Sequence, residues 1–219
     1  MNLDWSVIWD HRAAFATGVM NTILLTVIAM LISIPGGLFV MFLRTSQFSV
    51  LRGIAVFYVE LFRATPLILL IYWTFYVLPV LTGAYLPPMA TGLLALSLIV
   101  SAYNSETFRA GVNSIRKGQV DAALALGMSK SQVMRKVVLP QAVRRVLPVF
   151  ANTWVSLFKD TSLISVIAVN ELAYVSLQVR SETFRILEVL TAMAVLYWML
   201  GYPQAKLVDW INRRFGVTE

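Results

Sequence analysis

From Ala13 through Leu43 the chain carries no charged side chain, and that run constrains the fold more than any other feature. About 20 consecutive apolar residues suffice to cross the hydrocarbon core of a bilayer, so the segment is predicted to span one. Every other element must then be compatible with a membrane. The remainder agrees: of 219 residues 58% are hydrophobic and 13% charged, with a mean hydropathy of +0.74, whereas an ordinary soluble domain is about 25% charged. There is no cysteine and one histidine, His11, which removes disulfides and thiolate metal sites and leaves little for imidazole chemistry. No Gly/Ser/Pro-rich linker, low-complexity run or internal repeat divides residues 1–219, so a single transmembrane domain is expected. The opening MNLDWSVIWDHRAAF places acids before its first base, unlike a cleaved signal peptide.

Four further spans follow. The second is predicted from about Gly53 to Val80, interrupted by Glu60 and Arg63, which stand three apart on one helix face where they can pair. The charge-free stretch from Ala64 to Ser105 is too long for one crossing, and TGAYLPP breaks it, so the third span runs from about Met89 to Arg109. The fourth covers Val146 to Val169 and is split by Lys159-Asp160; the fifth runs from Ile186 to about Ala205, with Trp198, Tyr202 and Trp210 as an interfacial belt. Pro35-Gly36-Gly37 is a place for the first span to kink. The fold class is therefore an all-α integral membrane protein with about five transmembrane helices.

Orientation follows from the bases. Arg44 and Arg52 precede span two, Arg116, Lys117, Lys130, Arg135, Lys136, Arg144 and Arg145 lie between spans three and four, and Lys206, Arg213 and Arg214 are in the tail; the other side holds Arg12, Arg180 and Arg185. Positive residues mark the cytoplasmic side, so the amino end is expected outside and the carboxyl end cytoplasmic. The net charge of +7 then signals topology and contact with anionic membrane lipid rather than nucleic acid.

This places one polar passage, DAALALGMSKSQVMRKVVLP at residues 121–140, in the cytoplasm. Asp121 is expected in the first turn of a short helix with Ala122, Ala123 and Leu126 on a smooth face, and Gly127 suits a left-handed cap. Ser129 with Gln132 is a capping-box pattern starting a second helix, with Val133 and Val137 on one face and Lys130, Arg135 and Lys136 toward solvent, ending near Pro140. Three readings compete: an idle loop, a DNA-reading helix-turn-helix, and a docking knob whose small residues permit close approach of a cytoplasmic partner. The second lacks a supporting third soluble helix and lies between two spans.

Asp121-Ala122-Ala123, three residues, Gly127, nine residues, Val137, one residue, Leu139-Pro140 resembles the EAA loop of ABC-importer permease subunits, E-A-A-x3-G-x9-I-x-L-P, with Asp for Glu and Val for Ile. GVMNTILLTV, ELFRATPLIL, SAYNSETFRAGVNSIRKGQ, LPQAVRRVLP and KDTSLISVIAVNEL look, in that order, like recurring segments of the polar-amino-acid branch. The resemblance extends from about Gly18 to Leu207. It implies a type I ABC importer permease fold in a bacterial cytoplasmic membrane, with 113–145 as cytoplasmic coupling loop. It further implies a second permease subunit (the same chain or a paralogue), a cytoplasmic ABC ATPase dimer and an extracytoplasmic solute-binding protein. ATP and Mg belong to the ATPase; this chain has no G-x4-G-K-S/T phosphate loop, and no cofactor of its own is expected.

By the same resemblance Asp121, Ala122, Ala123, Gly127, Met128, Ser129, Leu139 and Pro140 couple to the ATPase. Charged groups inside spans are costly and by default mark a pathway or pair with one another, so Asn104, Glu106, Lys159, Asp160 and Glu171 are candidates for the substrate pathway or gate. Their structural alternatives are a Glu106–Arg109 pair near the interface and a helix break pinned by Lys159 or Asp160. Asn170 and Glu171 are placed to meet the solute or its binding protein. AYNSE departs from the branch's usual AYxAE at Asn104 and Ser105, which leaves solute choice open. The other classes are a secondary transporter, which calls for inverted repeats that are not seen, and a membrane adaptor, which has no need of the coupling spacing.

Overall fold

The charge-free run folds as one unbroken helix in the computed structural model, which describes residues 3–216. After a short α1 (Ser6–Asp10), α2 spans Arg12–Arg44, 33 residues, or about 50 Å at 1.5 Å per residue. Pro35 does not end it. Gly36 and Gly37 serve packing instead: a Cβ on Gly37 would lie 2.6 Å from the Asn104 Cβ, and one on Gly36 would lie 2.5 Å from the Ser101 hydroxyl. Lipid offers no hydrophobic drive between helices, so such close backbone approach is what holds them together. Its partner is α6 (Pro88–Asn113), and the α2–α6 seam is the most extensive in the molecule.

The predicted second span is two helices. α3 (Ser49–Ala64) and the segment Leu67–Thr82 meet at 110°. Thr65 and Pro66 are both extended, because the proline ring excludes helical geometry from the residue before it. The second segment is α4 (Leu67–Tyr72), a wide π turn at Trp73–Val77 and α5 (Leu78–Thr82), closed by Gly83 at φ +71°. Beyond α6 comes a helical hairpin made of α7 (Lys117–Ala125) and α8 (Lys130–Val133). A second π turn, Met134–Val138, leads into α9 (Leu139–Asp160). Both π turns end two residues before a proline, Pro79 and Pro140. The widened turn lifts the carbonyl four residues back out of the proline ring's way and lets the helix continue. Pro140 is therefore no boundary.

Nor do Lys159 and Asp160 split a span; they are the last two residues of α9. The break comes after them, through a 3₁₀ turn at Thr161–Ile167 to α10 (Leu172–Thr183), a bend of 47°. Ala168 and Phe184, on either side of α10, take left-handed φ of 59° and 57°, conformations that cost a non-glycine residue about 1 kcal/mol or more. α11 (Ile186–Phe215) completes the chain.

Two helices, α2 and α11, are long and apolar enough to cross a membrane alone, and the two bent pairs pass as combined spans. α6 has the length, 26 residues, but Ser97, Ser101, Asn104 and Ser105 lower its apolarity; all four are buried against protein rather than lipid. The main core joins Leu25 and Ala29 of α2, Ala95, Leu96 and Ile99 of α6, and Leu157, Ile164 and Ile167 beyond.

Candidate functional site

The hairpin carries its own small core of Ile115, Ala123, Val133 and Val138, with Met128 and Val137 packed against it. Ala123 points inward while Asp121, Ala122, Leu124 and Ala125 are exposed, and Leu126 is 83% exposed. The expected face of Ala122, Ala123 and Leu126 is thus divided, one member bracing the helix and two presented outward. Asp121 is the fifth residue of α7, not in its first turn.

Gly127 sits at φ +82°. Its N–H donates to the Leu124 carbonyl at 2.9 Å and the Met128 N–H to the Ala123 carbonyl at 3.2 Å, the paired bonds of a Schellman cap. Apart from its chain neighbours, no described residue lies within 4 Å of where its Cβ would be. Ser129 and Gln132 form the reciprocal capping box, the Ser129 N–H donating to Gln132 Oε1 at 2.8 Å and the Gln132 N–H to Ser129 Oγ at 3.3 Å. Leu139 and Pro140 are exposed at the start of α9.

Above the hairpin, Glu106 gathers three arginines. Arg109 donates to Glu106 Oε2 at 2.9 and 2.7 Å, Arg44 from the end of α2 bonds to Oε1, and Arg63 from α3 lies 3.7 Å from Oε1. The Glu106–Arg109 pair is as expected, but Arg63 turns to Glu106 and to the Tyr103 ring rather than to Glu60, which makes no ion pair among the described residues. One carboxylate thus ties the ends of α2, α3 and α6. Asn104, less than a turn before it, is fully buried and donates to Ser33 Oγ at 3.1 Å; it belongs to the α2–α6 seam.

The opposite end is built differently. Glu171 is 0% exposed and caps α10, accepting from the backbone N–H groups of Ala173 at 2.9 Å and Tyr174 at 2.7 Å and from the Tyr197 hydroxyl at 2.9 Å. Its carboxylate does not reach the surface. Asn170 does, and its carbonyl accepts from Asn21 at 2.6 Å. Nearby, the Asp4 N–H donates to Glu188 at 2.9 Å, and Arg185 lies 3.7 Å from Asp4 and 3.6 Å from Glu188. Hydrogen bonds from the Ser6 hydroxyl and N–H, aided by Arg185, hold the Asp4 carboxyl below its usual range.

Lys159 is exposed on a cavity of about 410 Å³ walled by Phe158, Tyr197, Trp198 and Tyr202, while Asp160 is half-buried and makes no ion pair with it. Tyr197 therefore links Lys159's cavity to Glu171. Sequence reasoning passes over Tyr197, one aromatic among several in α11, and over Arg44, whose only signal is that it is the first charge after the long apolar run.

Residues 33–217 match the family described as binding-protein-dependent transport system inner membrane component. The glutamine transport system permease protein GlnP of Escherichia coli is 31% identical over 218 residues, covering 99% of this chain and 100% of the relative. The arginine transport system permease protein ArtQ of Bacillus subtilis is 32% identical over 200 residues, covering 91% of each. Among solved structures, one described as an amino acid ABC transporter with histidines superimposes with a TM-score of 0.91 at 30% identity, covering 98% of this chain and 100% of that one. An inward-facing MetNI methionine ABC transporter shares the fold, with a TM-score of 0.75 at 20% identity over 95% and 99%.

Proposed function

The chain belongs to the family of binding-protein-dependent transport system inner membrane components, and from that membership we propose that it lines the path of a polar amino acid, or a close relative of one, as a membrane subunit of an ATP-driven importer. By the bias of its bases the hairpin lies in the bacterial cytoplasm, the amino end outside and the carboxyl end inside. A cytoplasmic ATPase dimer carries ATP and Mg, an external binding protein delivers the solute, and a second permease subunit completes the pathway.

The observation that carries this reading is the exposed α7, braced from behind by Ala123 and closed by left-handed Gly127. Small side chains at Ala122 and Ala125 let a partner approach the backbone. Asp121 and Leu126 flank the contact, and Met128 and Ser129 fix the turn. The second helix runs through Leu139 and Pro140 into α9 without a stop, so displacement of the hairpin is passed on to a spanning helix. ATP then favours one gate arrangement through differential contact at this surface. Along the path Lys159 offers a charge to the solute at an aromatic-walled cavity. Glu171 positions Tyr197, Glu106 latches the inner helix ends, and Asn104 holds the α2–α6 seam.

The test is co-purification. In mild detergent a cytoplasmic ATPase travels with the wild-type chain, and Gly127→Val, which forces a β-branched residue to φ +82°, lowers solute-stimulated ATP hydrolysis while membrane insertion persists. A chain active in uptake with no ATPase attached overturns the importer reading. Unchanged stimulated hydrolysis in the Gly127→Val variant overturns the coupling role. A thermal-shift screen of the cognate binding protein against amino acids then names the solute.

A further inference from the structure

Two cavities lie along the seam between α9 and α11, the second of them walled by α2 as well, and they differ in chemistry. The first, about 470 Å³, is lined by Gln141, Arg144, Arg145, Arg214 and Phe215. None of its three arginines forms an ion pair among the described residues, and one Arg145 nitrogen alone is engaged, donating to the Ser114 carbonyl at 2.7 Å. Among the described residues no carboxylate lines this cavity; guanidinium groups so gathered repel each other, and a phosphate ester is the ligand that their planar donor forks match. The second cavity, about 440 Å³, begins one helical turn further along both helices, at Leu147 and Ile211, and continues past Ala151 and Leu207 to Trp154. From Leu147 to Trp154 that is about 10 Å of apolar groove.

The depth fits this division. The groove is also walled by Val27, Met30, Leu31 and Ile34, which lie about the middle of the 33-residue α2, so it sits within the hydrocarbon, which some 20 residues of helix cross. Arg214 is one turn beyond Ile211, at the end of the groove that faces the headgroups. Trp210, half exposed and edge-on to Phe215 at 6.4 Å, is an interfacial aromatic between the two levels.

We propose that the α9–α11 seam binds one anionic phospholipid of the basic-side leaflet, its phosphate among Arg144, Arg145 and Arg214 and one acyl chain in the groove from Leu147 to Trp154. An inorganic phosphate uses the first cavity and leaves the second idle; an acidic protein surface does the same. Lipid alone has the two-part chemistry.

The experiment is native mass spectrometry of the intact complex offered equal phosphatidylglycerol and phosphatidylcholine, with and without millimolar inorganic phosphate. Wild type retains phosphatidylglycerol selectively. Arg144→Gln with Arg214→Gln lowers that selectivity about 25-fold, from the attraction of two arginines near an anionic surface. Ala151→Trp, which fills the groove and keeps every charge, lowers retention of both lipids. Arg213→Gln, a neighbouring exposed base that does not line the cavity, leaves selectivity unchanged. Equal selectivity in wild type and the double variant, or loss of the lipid to inorganic phosphate, overturns the proposal. So does a double variant that sheds its ATPase while keeping its lipid, which assigns the arginines to a protein contact. Lipid retention is read without transport, so its failure leaves the importer reading standing.

Discussion

The two ends of the helix bundle solve the same problem in opposite ways. Each holds a carboxylate away from bulk water: Glu171 at one end is met by two backbone N–H groups and a tyrosine hydroxyl, Glu106 at the other by three arginines. Backbone donors are fixed in place by α10, so Glu171 has one geometry. Arginines sit on long rotatable stems, and those of Arg63 and Arg109 are 45% and 43% exposed, so the Glu106 cluster can be dismantled and remade. A rigid end and an exchangeable end suit the proposed importer, in which the Glu106 end lies beside the hairpin that responds to a partner.

The largest break in this contrast is Glu171→Ala. It removes an N-cap and leaves the Tyr197 hydroxyl buried without its acceptor, a loss of about 3 kcal/mol. The thermal midpoint in detergent falls, and the deficit is the same at low and high salt, because hydrogen bonds buried among protein are little screened. A deficit that vanishes in 1 M salt shows that the Glu171 carboxylate is held by charge after all.

Next is Gly37→Ala. The added methyl meets the Asn104 Cβ at 2.6 Å and the Ser105 nitrogen at 3.0 Å, and overpacking against backbone costs about 2 kcal/mol. The same change separates α2 from α6 just where Arg44 must reach Glu106, so a cysteine pair across the seam cross-links more slowly. Unchanged cross-linking shows that the ion cluster, not the glycine, sets the helix spacing.

This glycine marks where sequence reading stops. The long apolar run, the left-handed Gly127 and the Ser129–Gln132 box are local features, written in consecutive residues, and the structure has them where periodicity and capping rules place them. Pro35-Gly36-Gly37 is just as visible, but whether it bends a helix or seats another against it depends on residues some 65 positions away. Glu60 and Arg63 have pair spacing, yet Arg63 finds a stronger neighbour on α6. The 110° bend at Thr65-Pro66 is hidden by composition, because a run of apolar residues reads alike whether straight or folded. Asn104, Lys159 and Glu171 are all identifiable as polar groups within spans. Which one faces a cavity is decided by how α11 lies against α9 and α10.

Glu106→Gln is the third prediction. It leaves three arginines converging on a neutral amide, a loss of about 1 kcal/mol for a cluster this accessible. Here the deficit against wild type shrinks as salt rises, since the Debye length falls from about 10 Å at 0.1 M to 3 Å at 1 M. Opposite salt responses of the Glu106 and Glu171 variants are the sharpest form of the contrast between the ends; identical responses abolish it.

The smallest effect is expected from Asp4→Asn at the rigid end. The Asp4 backbone N–H, which holds Glu188, survives the change; the amide Oδ1 still accepts from Ser6, and only the charge on those bonds and the attraction to Arg185 are lost. Because the folded protein holds this carboxyl below its usual range, its contribution is complete above about pH 4, the ordinary value for an aspartate. It is lost as pH falls through the depressed folded value. Wild type and Asp4→Asn should therefore differ slightly at neutral pH and converge in strong acid. If the gap instead widens as pH falls, the amino-terminal segment is tied down by the charge on Asp4 in some other way than through Ser6 and Arg185, and the Glu171 end too depends on side-chain ions.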